Sequence, residues 1–303
     1  MTTHPRLPEL VLFGITFIWG VSFLVIQIGL SVSGPLFFQT VRYGIATLCL
    51  IVVAGRGLSG ITALEWKVGI VTGLAVALAN SIQAVGLQYI PSSTSAFLTA
   101  LYVPMVPIAQ WLFMREMPRP LAWAGILCAF VGMSLLAGPD AILRLEIGFG
   151  EMLTIACAAV IAAEIVVIGA FTRRMEPRRV AFVQTLVVTL STLLAMAPAG
   201  EALPDLTWLL AATAGGLGVG SMLIHLAMFW AQKRLSPTRA TLIYATEPVW
   251  AGIVGRMAGE RLPFLALVGA GFIVAGVVVS GLRPKAGDRE GAVDGTSPAP
   301  PDR

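Results

Sequence analysis

The chain has 303 residues, 57% of them hydrophobic and 12% charged, with a formal net charge of +4. Soluble domains carry about 25% charged residues, so 20 basic and 16 acidic side chains cannot cover a soluble protein of this size. The mean hydropathy of +0.86 assigns the apolar excess to a lipid bilayer. The cations fall in short clusters between uncharged stretches, so no nucleic acid is expected as a partner.

A helix needs roughly 20 apolar residues to cross the hydrocarbon. Ten stretches qualify in chain order: 9–30, 35–55, 67–89, 92–114, 120–138, 148–171, 180–199, 206–232, 236–257 and 262–282. Residues 68–114 hold no charge at all, and Tyr89-Ile90-Pro91-Ser92-Ser93 cuts them into two helices. The ninth span is the least regular, with Arg239 near its start and Glu247 near its centre. The first span is too long for a signal-peptide core and lacks a small-residue cleavage site. The tail from Pro284 is polar and is expected to be disordered. Cys49, Cys128 and Cys157 all lie in apolar runs and give no metal-ligand spacing.

Placing the N-terminus in the cytoplasm puts sixteen Lys and Arg residues on the inside and three on the outside, with Arg42 within a span. This bias predicts a multi-pass protein of a bacterial-type inner membrane with both termini cytoplasmic. At a constant offset of 144, Gln88 matches Gln232, Ser92 matches Ser236, and Pro104 matches Pro248. In the same register Glu116 matches Glu260, Gly125 matches Gly269, and Gly132 matches Gly276. A five-span unit copied once must enter the membrane inverted. The fold class is therefore all-α, with ten transmembrane helices in two inverted five-helix repeats. The expected division is a cytoplasmic tail 1–8, a first repeat 9–138, an outside linker 139–147, a second repeat 148–282 and a cytoplasmic tail 283–303.

Trp19-Gly20, Arg42-Tyr43, residues 83–96, Pro104, Glu116, Glu247-Pro248-Val249 and Gly259-Glu260 together resemble the EamA family of the drug/metabolite transporter superfamily. The resemblance covers residues 10–282. It departs at Arg115, where the family often has glycine, and at Val103, where the second copy has Glu247. It implies ten helices, export of small metabolites through a central cavity and no ATP motor, with amino-acid exporters of the YddG type as neighbours.

Ionisable groups inside a membrane cost about 2.5–3.5 kcal/mol each on insertion scales, so each is a site candidate. Arg42 is either an anchor for a substrate carboxylate or a structural partner of a neighbouring helix. Glu247 sits beside Pro248, which lacks an N–H and frees the Tyr244 carbonyl. Helical spacing puts Tyr244 and Glu247 on one face, where the carboxylate would exchange protons or bind an ammonium group. Glu164 and His225 are candidates for a proton-sensitive pair or a simple interhelical contact. Trp19, Asn80, Gln83 and Tyr102 offer amides and aromatic faces to an amino acid, or pack between helices. Pro104 and Pro248 read as bends. Glycines at four-residue spacing (Gly69 and Gly73, Gly216 and Gly220, Gly255 and Gly259) suit close helix contact.

No phosphate-binding loop, zinc motif or catalytic constellation is present in the sequence, so no cofactor and no enzymatic activity is expected. The expected partners are a small-molecule substrate, the bilayer and, as a coupling ion, the proton, around a monomer. The expected function is export of aromatic or other neutral amino acids by alternating access. Drug, nucleotide-sugar or other metabolite transport is the alternative within the superfamily. A membrane sensor or assembly subunit without flux is the alternative outside it.

Overall fold

The computed structural model describes residues 6–86, 89–90, 95, 98–137, 148–257 and 264–281. The linker 139–147, the tail 283–303, Gly259, Glu260 and most of the turn after Tyr89 lie outside the described residues. Eleven α-helices occur among those described. The first repeat supplies α1 (Leu7–Leu30), α2 (Pro35–Ala54), α3 (Ala63–Gly86), α4 (Tyr102–Met114) and α5 (Pro120–Ala137). The second supplies α6 (Phe149–Phe171), α7 (Pro177–Met196), α8 (Trp208–Gln232), α9 (Pro237–Tyr244), α10 (Glu247–Met257) and α11 (Phe264–Gly281). Each of the ten predicted spans is represented. Six helices are long and apolar enough to cross a membrane, and α4, α5 and α11 are shorter apolar helices.

Local chemistry sets the helix ends. Proline opens α2, α5, α7 and α9, where its fixed φ is already helical and its missing N–H costs nothing. The helix α3 starts earlier than the apolar run, because Thr62 and Glu65 form reciprocal side-chain to backbone hydrogen bonds. Large apolar side chains such as Val52, Phe113 and Leu194 face outward, as a lipid-bathed surface requires.

Spans four and nine depart from the single helices expected. Backbone turns at residues 100 and 101 precede α4, and turns at 245 and 246 separate α9 from α10. Leu101 and Ala245 are equivalent in the 144-residue register. Pro104 lies in the first turn of α4 and Pro248 in the first turn of α10. The prolines therefore mark restarts of interrupted helices rather than bends within continuous ones.

Packing displays the inversion directly. Thr40 bonds Thr192 at 2.9 Å and Thr47 bonds Thr185 at 3.0 Å, so α2 and its counterpart α7 run antiparallel. The equivalent helices α5 and α11 are also antiparallel, with Gly125 against Gly276 and Gly132 against Gly269. These four glycines are the register pairs, and they meet crosswise. A Cβ on Gly125 would lie 2.6 Å from the Gly276 carbonyl oxygen, and one on Gly132 would lie 2.5 Å from that of Gly269. The remaining neighbours obey the same exchange: α3 packs on α6 and α7, while α8 packs on α1 and α2. Gly69 and Gly73 of α3 abut Val183 and Val187 of α7, but Gly216 faces open space.

Two buttressing carboxylates repeat the symmetry. Glu201, in the connection after α7, accepts hydrogen bonds from the Leu36 and Phe37 amides at the start of α2, at 3.0 and 2.7 Å. Glu65, at the beginning of α3, accepts one from the Glu176 amide at the start of α7, at 2.9 Å. Each acid meets the positive end of a helix dipole.

Gly125→Val and Gly132→Val should each destabilise the protein by about 1–3 kcal/mol, because the new side chain meets backbone that cannot yield. Gly14→Ala, with nothing within 4 Å of the added atom, should leave the midpoint unchanged or raise it, because alanine is the better helix former. Thermal unfolding of the purified protein in detergent checks both.

Candidate functional site

The polar side chains that the sequence places in mid-span converge on the interior between the two repeats. On α2, Arg42 is buried and its Nε donates to Ser221 Oγ of α8 at 2.6 Å. Its guanidinium carbon also lies 5.3 Å from the Tyr43 ring centroid. The Tyr43 ring in turn packs at 5.6 Å against His225 of α8. In the structure Arg42 thus ties α2 to α8.

Glu164 and His225 do not pair. Glu164 of α6 accepts from Gln184 Nε2 of α7 at 2.9 Å, and His225 meets Tyr43 instead. The helix phase explains this: the face of α8 that carries Ser221 and His225 is turned toward α2, while α6 approaches through α3 and α4. Glu164 nevertheless lies close enough to Tyr43 and Tyr244 to act on both electrostatically. A second group surrounds the interruption in span nine. The Trp19 ring stands edge-on to Tyr244 at 5.2 Å and 75°, and Gln232 Nε2 donates to the Tyr244 hydroxyl at 3.3 Å. Tyr102, in the first turn of α4, lies within electrostatic reach of Tyr244 and Glu247.

Glu247 begins α10 and Tyr244 ends α9, so regular helical spacing does not set their relation as expected. Glu247 is half-buried, and among the described residues its carboxylate has no hydrogen-bond or ion-pair partner. Gln83 Nε2 donates to Thr99 Oγ1 at 3.1 Å across the third and fourth spans. Asn80 stands one turn away on α3.

Four buried polar atoms in this interior lack a protein partner: Asn80 Nδ2, Gln184 Oε1, His225 Nδ1 and Gln232 Oε1. An unmet polar atom in a low-dielectric interior costs about 1–3 kcal/mol. Such atoms are hydrogen-bonding capacity for a polar guest. The region is closed in this conformation, with Tyr244 at 0%, His225 at 6% and Glu164 at 7% exposure.

Several partners of these groups do not stand out in the sequence. Gln184, Ser221 and Gln232 are uncharged, and nothing in their own spans marks them as partners of Glu164, Arg42 and Tyr244. Arg239 stood out as an irregularity of span nine, yet it is a cross-tie. It donates to Glu9 of α1 at 3.0 Å, to the Val277 carbonyl at 2.7 Å and to the Ser280 hydroxyl. Beside it Gln110 of α4 accepts from both the amide and the hydroxyl of Thr238, at 3.0 and 2.7 Å. Among the described residues no three His, Cys, Asp or Glu side chains converge as metal ligands.

Comparison with known proteins places this geometry in context. A family model described as the EamA-like transporter family matches twice, over residues 6–138 and 148–282. An uncharacterized transporter of Archaeoglobus fulgidus is 28% identical over 271 residues, covering 89% of this chain and 84% of its own. The uncharacterized inner membrane transporter YedA of Escherichia coli K12 is 27% identical over 285 residues, with 88% of each chain covered. One crystal structure superposes with a TM-score of 0.77 at 18% identity over 90% of this chain and 97% of that one, a likeness of fold.

Gln184→Leu should destabilise the protein by about 1–3 kcal/mol, because it strips Glu164 of its donor inside the bundle. Adding Glu164→Leu should recover part of that loss, since no unpaired carboxylate remains. Thermal midpoints of both single variants and the double variant decide the matter: single losses that simply add up to the double loss would show that the contact is not coupled.

Proposed function

The chain belongs to the EamA-like transporter family, and from that premise we propose that it exports small neutral or aromatic amino acids by alternating access through its polar interior. The observation that carries this reading is the pair of interrupted helices. Spans four and nine break at equivalent positions, and the breaks bring Tyr102, Tyr244 and Glu247 together with Trp19. Discontinuous helices at mid-depth free backbone groups for a ligand, and inverted repeats give two similar halves that exchange roles at opposite faces.

The chemistry suits a zwitterion with an apolar side chain. Glu247 faces the ammonium group. The buried amide of Asn80 offers a donor to the carboxylate. Trp19, Tyr102 and Tyr244 form aromatic walls for the side chain. Arg42 has the structural part, because Ser221 already occupies its Nε. In this reading both termini lie in the cytoplasm, and no catalytic step is involved.

The test is flux of radiolabelled phenylalanine, threonine and methionine into liposomes holding the purified protein, with and without a pH gradient. We expect uptake above empty vesicles and at least a tenfold loss (about 1.4 kcal/mol) in Glu247→Gln. Proton exchange at Glu247 makes wild-type flux respond to the imposed pH gradient and leaves the Gln variant unresponsive to it. Binding without flux would assign the chain to a sensor instead.

A further inference from the structure

A groove of ≈ 510 Å³ opens on the arginine-rich face between the start of α1, the start of α7 and the end of α8. It lies apart from the polar interior. Its apolar walls are Val11 of α1 with Leu223, Leu226, Ala227 and Trp230 of α8. These α8 positions are on the side opposite Ser221, His225 and Gln232, which turn inward. They continue a stripe of outward-facing residues, Leu209, Ala212, Val219 and Leu223, along the same helix. The groove is therefore open sideways, toward acyl chains.

Its mouth is cationic. Arg178, Lys233 and Arg234 line it, with Glu176 as the single acid. Among the described residues none of the three cations is engaged in a hydrogen bond or ion pair with a protein acceptor. The Arg234 guanidinium is held 4.9 Å over the Trp230 ring, which fixes its height at the rim. A tryptophan beneath a cation in such a groove suits a membrane–water boundary. Three unpaired cations above an apolar slot match a ligand with a phosphate above a hydrocarbon chain.

We propose that this groove is a binding site for an anionic membrane phospholipid, one acyl chain lying along α8 and the headgroup phosphate held by Arg178, Lys233 and Arg234. The assignment is independent of what the polar interior carries.

Native mass spectrometry of the full-length protein, titrated with dioleoylphosphatidylglycerol or dioleoylphosphatidylcholine, tests it. The anionic lipid should bind about tenfold more tightly than the zwitterionic one. The double variant R178Q/R234Q should lose that preference while its lipid-free thermal midpoint stays unchanged, since both side chains are exposed. A227W, which fills the slot, should lower binding of both lipids. Glycerol phosphate, which has the headgroup without chains, should not displace the lipid. Equal affinity for the two lipids, or an unaltered preference in R178Q/R234Q, would overturn the proposal. So would displacement by glycerol phosphate, which would make the site one for soluble phosphate esters.

Discussion

A helix that stops halfway across a bilayer leaves amides and carbonyls that hydrocarbon cannot satisfy. This chain stops two of its spans in that way, so both stops must be walled in by protein. The rest of the architecture follows from that requirement. α1, α4, α6 and α8 surround the end of α9, and Tyr244 at that end is fully buried. Thr246 in the interruption bonds back to the Ile243 carbonyl at 2.7 Å and across to Thr16 at 3.0 Å. Trp250 then donates to the same Thr16 hydroxyl at 3.1 Å. A chain of hydroxyls thus carries the polarity that the missing helical turn exposes.

Much of the fold was legible because membrane helices obey one severe rule. Each span must be apolar for about 20 residues, so its location shows in the residues themselves, and a five-span copy can be recognised by a proline, an acid and two glycines in register. What remained hidden were the interruptions. Pro104 and Pro248 signal a missing N–H, but a missing N–H permits either a bend or a stop. Contacts with other spans decide between them, and those contacts are not local.

The candidate site was less readable, for a related reason. Charges announce themselves in an apolar run, whereas their partners do not. Arg42 and Glu164 were evident, but Ser221 and Gln184, which satisfy them, look like ordinary polar residues of helix interiors. Glu164 and His225 lie at a similar depth of spans six and eight, which made a pair one of two readings. Helix phase separated them: His225 is turned to α2 and Glu164 to α7. Arg239 is the converse case. It looked like a flaw in an apolar segment and proves to be a cross-tie joining α9 to α1 and α11.

The crosswise glycine seam between α5 and α11 has a consequence for how such a molecule is made. Two identical five-helix subunits could form the same seam only if the translocation machinery threaded them in opposite senses, which demands nearly balanced flanking cations on every copy. Joining both halves in one polypeptide removes that demand. Insertion of the whole can then be steered by a lopsided distribution of lysine and arginine, and the partner half is always supplied one to one, whatever the expression level.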